Sequence, residues 1–167
     1  MMVSSNHPDH LSQAIADMIC IAFFFLLRLG EYSISSSDSV PFRLADVQLF
    51  RGDHCPPLLT ASPEELLTAT FCTLTFTSQK NGVRGEVIGQ SHSGDPWLSP
   101  TRALARRVLH LRRFHVPPTS PLTLAYTSLS HYSTITSSLL TRTLCDAVTF
   151  LGPTLGFTAN NVSARCL

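Results

Sequence analysis

The chain has 167 residues, 44% of them hydrophobic, enough for one domain with a real core and too apolar for a disordered segment. Twelve basic against 11 acidic residues leave a formal net charge of +1, so the chain lacks the strong basic excess that marks a nucleic-acid binder by composition alone. Cys20, Cys55, Cys72, Cys145 and Cys166 are odd in number and form no C-x-x-C pair, and His7, His10, His54 and Cys55 lack metal-ligand spacing; reduced structural thiols, no metal and no cofactor are expected.

Residues 1–10 read as a disordered lead-in, and 11–167 as one domain. Leu11 to about Leu29 predicts a helix, entered through Asp9 or Ser12 as a cap and ended with help from Gly30. Its uncharged run from Met18 to Leu27 is about half of the roughly 20 residues that cross a bilayer. No basic residue precedes Arg28, as a signal peptide would require. A fully buried core helix is the expectation, with no membrane partner.

Ser33–Pro41 reads as a loop. Phe42–Phe50 follows as a short strand, with Phe42, Leu44, Asp46 and Gln48 on one side and Ala45, Val47 and Leu49 on the other. Arg51–Ser62 is an irregular connection and Pro63–Leu67 one helical turn. Cys72, Leu74 and Phe76 alternate with Thr73, Thr75 and Thr77, a strand with one buried and one polar face. Asn81-Gly82 is a preferred hairpin turn, Val83–Gln90 the returning strand, and Lys80 the hairpin tip.

From Ser99-Pro100 to His115, Ala103, Leu104, Val108, Leu111 and loosely Phe114 mark an amphipathic helix. Its opposite face is arginine-rich: Arg102, Arg106, Arg107, Arg112 and Arg113. Pro117-Pro118 ends it, Pro121–Leu124 is a short extended piece, and Ser128–Thr134 falls in a loop. A last helix is expected from about Ser137 to Leu151 on Leu139, Leu140, Leu144, Val148 and Leu151, stopped by Gly152-Pro153. The remainder begins a new helix only at its end, and no repeat is present. The predicted fold is mainly α with a small antiparallel sheet, α+β.

Four segments carry chemistry. Leu27-Arg28-Leu29-Gly30-Glu31-Tyr32 has arginine, two residues, then glutamate at the end of an apolar helix. Leu44-Ala45-Asp46-Val47 follows at the first strand. Thr77-Ser78-Gln79-Lys80-Asn81-Gly82 places the chain's single lysine at a turn, and Asn161-Val162-Ser163-Ala164-Arg165-Cys166-Leu167 closes the sequence. Three of them have a plainer reading: Arg28 as a favourable charge at a helix end, Lys80 as a solvated turn residue, Arg165 as an ordinary terminal one.

Taken in order, these segments resemble the catalytic domain of tyrosine recombinases, the DNA-cutting and DNA-joining enzymes of integrases and mobile elements, with particular similarity to DIRS-like and Crypton-like types. The resemblance implies attack of a tyrosine hydroxyl on a DNA phosphodiester. Arg28 would clamp the phosphate oxygens, supported by Glu31, and Lys80 would serve the leaving oxygen. Arg165 would take the place of the histidine of the second box.

The Ser33–Pro41 loop is longer than the family's, and Leu26-Leu27 replaces the small residue that commonly precedes its arginine. On this resemblance the second catalytic arginine and the nucleophile would follow Leu167, and Tyr32, Tyr126 and Tyr132 lie in the wrong part of the order. The expectation is a DNA-integration and recombination fragment, inactive alone, its standing as an enzyme left open. It would bind duplex DNA with help from Arg102, Arg106, Arg107 and Arg113. Full-length relatives would assemble as oligomers on DNA, in the nucleus if eukaryotic and otherwise in the cytoplasm. The rivals are a non-catalytic DNA-binding module, favoured if the helix arginines form one basic surface, and a protein-interaction module or small membrane-associated protein.

Overall fold

A computed structural model describes residues 10–27, 41–76 and 85–155, with backbone alone for 152–155. In chain order the elements are α1 (His10–Phe25), a 3-10 turn (Leu44–Asp46), β1 (Val47–Phe50), α2 (Pro63–Leu67), β2 (Phe71–Phe76), β3 (Glu86–Ser91), α3 (Pro100–Arg113), β4 (Leu124–Ser128), β5 (His131–Thr134) and α4 (Ser137–Leu155). The strands form a three-stranded sheet ordered β1-β2-β3 and a separate β4-β5 hairpin, all antiparallel. The architecture is α+β.

Helix α1 buries Ala14, Ile15, Met18, Ile21 and Phe25, a spacing of three and four that keeps one face on the core. The expectation of a fully buried helix is corrected, because Phe23 stands 72% exposed. The helix also stops before Leu29. Leu26 takes a left-handed φ of 53° and the Leu27 N–H reaches back to the Ala22 carbonyl at 3.0 Å, the closing turn that glycine usually provides.

In β2 the apolar face is as read, with Cys72, Leu74 and Phe76 buried and Cys72 and Leu74 opposite Leu49 and Val47 of β1, but the other face is not simply solvated, since Thr73 is buried as well and its hydroxyl meets Gln48 Oε1 at 3.3 Å. The predicted strand over Phe42–Phe50 is shorter, since Leu44–Asp46 winds into a 3-10 turn. The Asp46 carboxylate accepts the Arg43 N–H at 2.7 Å, and the Leu44 and Ala45 N–H groups donate to the carbonyls of Ser120 and Pro118. Side-chain and long-range acceptors there outcompete a ladder. On the other edge the Phe71 ring lies over Gly89, where an added Cβ would come within 2.1 Å of Phe71 Cζ and displace that partly exposed ring. The returning strand β3 pairs Glu86 with Phe76; the Asn81-Gly82 turn falls outside the described residues.

Ser62 and Glu65 form a reciprocal capping box that starts α2 behind Pro63. Pro100 opens α3, which packs antiparallel to α1: the His10 and His110 rings are 5.8 Å apart at one end and Asp17 meets Arg106 further along. The stretch expected as an extended piece and a loop is instead the β4-β5 hairpin. A cross-strand Tyr126–Tyr132 pair, 5.2 Å between centroids, contributes what its Leu129-Ser130 turn lacks in turn-favouring residues.

Helix α4 does not stop at Gly152-Pro153 but runs to Leu155. Pro153 only deprives the carbonyl four residues earlier of its donor, which a last turn at the surface tolerates. Leu140 is buried at its start, whereas Phe150 near its end is exposed.

The most costly group in this interior is Arg107, 1% exposed on α3. Its Nε and Nη2 donate to the Leu122 carbonyl at 3.0 and 2.8 Å, and Nη2 also donates to that of Leu124. Arg107→Ala is expected to cost about 3 kcal/mol, combining a cavity with two carbonyls left unpaired, measured as a lower urea midpoint. An unchanged midpoint would contradict this role.

Candidate nucleic-acid interface

Arg28, Glu31, Lys80 and Arg165 lie outside the described residues. The flanks of the two internal segments that carry them are described. Arg28 and Glu31 belong to the 28–40 segment, which follows the end of α1 and precedes Pro41 and Phe42; Lys80 belongs to the 77–84 connection between β2 and β3. The Phe42 and Phe76 rings meet edge to face, 4.9 Å between centroids at 87°, both buried. The described residues that flank the two segments, Phe42 and Phe76, are therefore neighbours. Gln90 adds a second tie, donating from Nε2 to the Phe24 carbonyl at 2.9 Å and so fixing β3 to the last turn of α1.

The arginines of α3 do not form the expected DNA-binding surface. At about 100° per residue, Arg102, Arg106 and Arg113 share one stripe while Arg107 points well away from it. Arg107 is inside, satisfied by the two carbonyls described above. Arg106 is mostly covered and binds Asp17, its Nε at 2.7 Å and Nη2 at 2.6 Å from the same Oδ1. Arg112 donates to the Leu58 and Ala61 carbonyls. Arg102, half-buried, has no polar partner among the described residues, and Arg113 is exposed beside the Phe114 ring. The expectation for Arg106 and Arg107 is thus corrected: Arg107 is buried against carbonyls, and Arg106 is held in an ion pair with Asp17. Only Arg102 and Arg113 remain for an outside anion, about 16 Å apart along the helix.

Asp17 was missed as a site residue. Burial raises its carboxyl above the usual range, and the bond from Arg106 opposes that shift only in part. An acid on the buried face of an otherwise apolar helix is a signal in itself, since such a group requires a cation or a proton. Arg107 is pushed down by burial to about 10 and stays cationic at neutral pH.

His110 was missed too. Its Nε2 accepts the Tyr126 N–H at 2.8 Å, and burial first, then Arg107, His10 and Arg113, push it down to about 4. It is a neutral acceptor at the hinge between α3 and the second hairpin, unsuited to proton transfer near pH 7. Among the described residues no three His, Cys, Asp or Glu side chains group as metal ligands, and no helix is long and apolar enough to cross a membrane. Compared with family models, curated proteins and solved structures, the chain matches none.

The folded state keeps His110 neutral while the unfolded chain takes up its proton near the ordinary value of 6.5. Its stabilising contribution is whole above that value and falls as pH drops from about 6.5 toward 4. His110→Gln, which retains an acceptor and does not titrate, is expected to flatten that part of the stability–pH curve in urea melts. A curve of unchanged slope in the variant would refute it.

Proposed function

We propose that the chain is part of a tyrosine-recombinase-like catalytic domain and that its contribution is to engage the phosphate backbone of duplex DNA through Arg28 and Lys80. What supports the reading is the order of motifs on this fold. An arginine, two residues and a glutamate follow an apolar helix, and a single lysine sits in the connection of a β-hairpin. The observation that carries it is the Phe42–Phe76 contact, which joins the flanks of the two motif segments. Guanidinium and ammonium groups converging on one phosphate are the arrangement that stabilises its developing negative charge.

Arg102 and Arg113 extend this set; Arg106 and Arg107 do not belong to it. With about four cations to offer, binding is weak, largely independent of sequence, and has a logarithmic salt slope no steeper than about −4. Fluorescence anisotropy with a labelled duplex over a salt series tests this. The Arg28→Ala/Lys80→Ala double variant is expected to make the slope shallower by about two. Binding undetectable at low salt, or indifferent to the double variant, would sink the reading.

A polypeptide of this sequence is also expected to form no covalent DNA adduct. Of its three tyrosines, Tyr126 and Tyr132 are rings of the β4-β5 hairpin, with Tyr126 stacked 5.0 Å from Phe114, and phosphoryl transfer requires an aligned nucleophile. A nicked suicide duplex, read as a mobility shift that survives denaturant, gives the answer. An adduct lost on Tyr32→Phe, Tyr126→Phe or Tyr132→Phe would contradict the assignment.

A further inference from the structure

The three-stranded sheet ends on one side at β3, and its hydrogen bonds show which main-chain groups of that strand are spent. The His92 N–H donates to the Thr70 carbonyl, and the Gln90 carbonyl accepts the Cys72 thiol, so the even-numbered positions face β2. Main-chain groups alternate sides along a strand, and those of Val87, Gly89 and Ser91 therefore face outward. None of these N–H and C=O groups has a hydrogen-bond partner among the described residues.

Open edges are usually blunted by proline, lysine, a bulge or a covering segment, because a bare row of main-chain groups is a template for another strand. The Glu86–Ser91 strand carries no proline or lysine, and its pairing with β2 runs without a register shift. Its one charged residue, Glu86, stands at an end. Val87 is 55% exposed, and Gly89 and Ser91 are exposed as well. The strand is also held from behind, since Gln90 Nε2 donates to the Phe24 carbonyl at 2.9 Å.

What completes such a row is another strand, and the register favours a second copy of the same one. A two-fold axis through Gly89 sets Gly89 against Gly89 and Val87 against Ser91 in both directions, so every outward N–H and C=O on both strands is used at once. Moving the axis to Ile88 or Gln90 leaves one outward residue of each strand without a strand partner. The axis falls on the residue that has no side chain, with the Phe71 ring lying over it. The same register sets Glu86 against His92 of the second copy. His92 Nδ1 accepts the Gly94 N–H at 2.8 Å, which leaves Nε2 as the donor toward that carboxylate.

We propose that β3 is a self-pairing edge, through which two copies of this chain join their three-stranded sheets into one continuous antiparallel sheet. The contact is mainly main chain to main chain and small for a permanent dimer, so association is reversible and concentration-dependent. It is independent of any contact with DNA.

Sedimentation velocity of the full chain, from micromolar to millimolar concentration, is expected to show monomer passing into dimer and no larger species. Over the same range, amide exchange read by NMR is expected to slow at Val87, Gly89 and Ser91 and to stay unchanged in β1 at the opposite edge. Charge substitutions at the two exposed positions read the register. Val87→Lys/Ser91→Lys sets lysine opposite lysine in both rows and is expected to weaken association about ten-fold. Val87→Lys/Ser91→Glu sets lysine opposite glutamate and is expected to restore it, in enough salt to screen net charge. A chain that stays monomeric throughout, growth past the dimer, a dimer whose three amides exchange as fast as the monomer's, or two charge variants that weaken it equally would each overturn the assignment.

Discussion

A buried guanidinium is tolerated only where its donors are met, and α3 meets that demand by reaching into three different parts of the chain. Arg107 holds the carbonyls of Leu122 and Leu124, Arg106 holds Asp17 of α1, and Arg112 holds the carbonyls of Leu58 and Ala61 ahead of α2. One helix thus anchors the first helix, the segment leading to α2 and the second hairpin. For Arg107 the acceptors are neutral carbonyls, so the bonds fix backbone geometry where an ion pair would fix only a side chain. Leucines 104 and 111 on the same helix are fully buried, and they supply the apolar burial against which those polar bonds form.

The same constraint governs the electrostatics. A helix with five arginines looks cationic when written out, yet three of the five spend hydrogen bonds inside the molecule. A guanidinium facing carbonyls in the interior cannot also approach a phosphate, and one that shares an oxygen with Asp17 has most of its field cancelled at a distance. Near-neutral net charge and a helix on which three of five arginines are engaged internally agree with each other.

Aromatic contacts organise what the arginines leave open. Phe42 on Phe76 joins two segments distant in sequence, and Phe114 stacks on Tyr126, both touching His110, while Tyr132 meets Tyr126 at a tilt. Gly89 belongs to the same pattern, since the Phe71 ring occupies the space its side chain would fill. Such contacts bury area without demanding partners, apart from the tyrosine hydroxyls, and they suit a small domain with few charged residues.

Much of the fold was legible in the sequence because periodicity reports burial directly. The alternation of Cys72, Leu74 and Phe76 gave β2, the spacing around Leu104 and Leu111 gave α3, and Pro63–Leu67 was read as the single turn that α2 is; the Ser62–Glu65 capping box that starts it was not read. The 3-10 turn at Leu44–Asp46 and the β4-β5 hairpin were not legible, because their causes are distant acceptors at 118–120 and a tyrosine pair with no turn signature between its strands. For the candidate site, Arg28, Glu31, Lys80 and Arg165 stand out only by motif and order, which the chain alone supplies. Whether an arginine on α3 faces water or a carbonyl depends on where Leu122, Ala61 and Asp17 arrive in space. That is a matter of packing between segments up to 89 residues apart, and no local pattern encodes it.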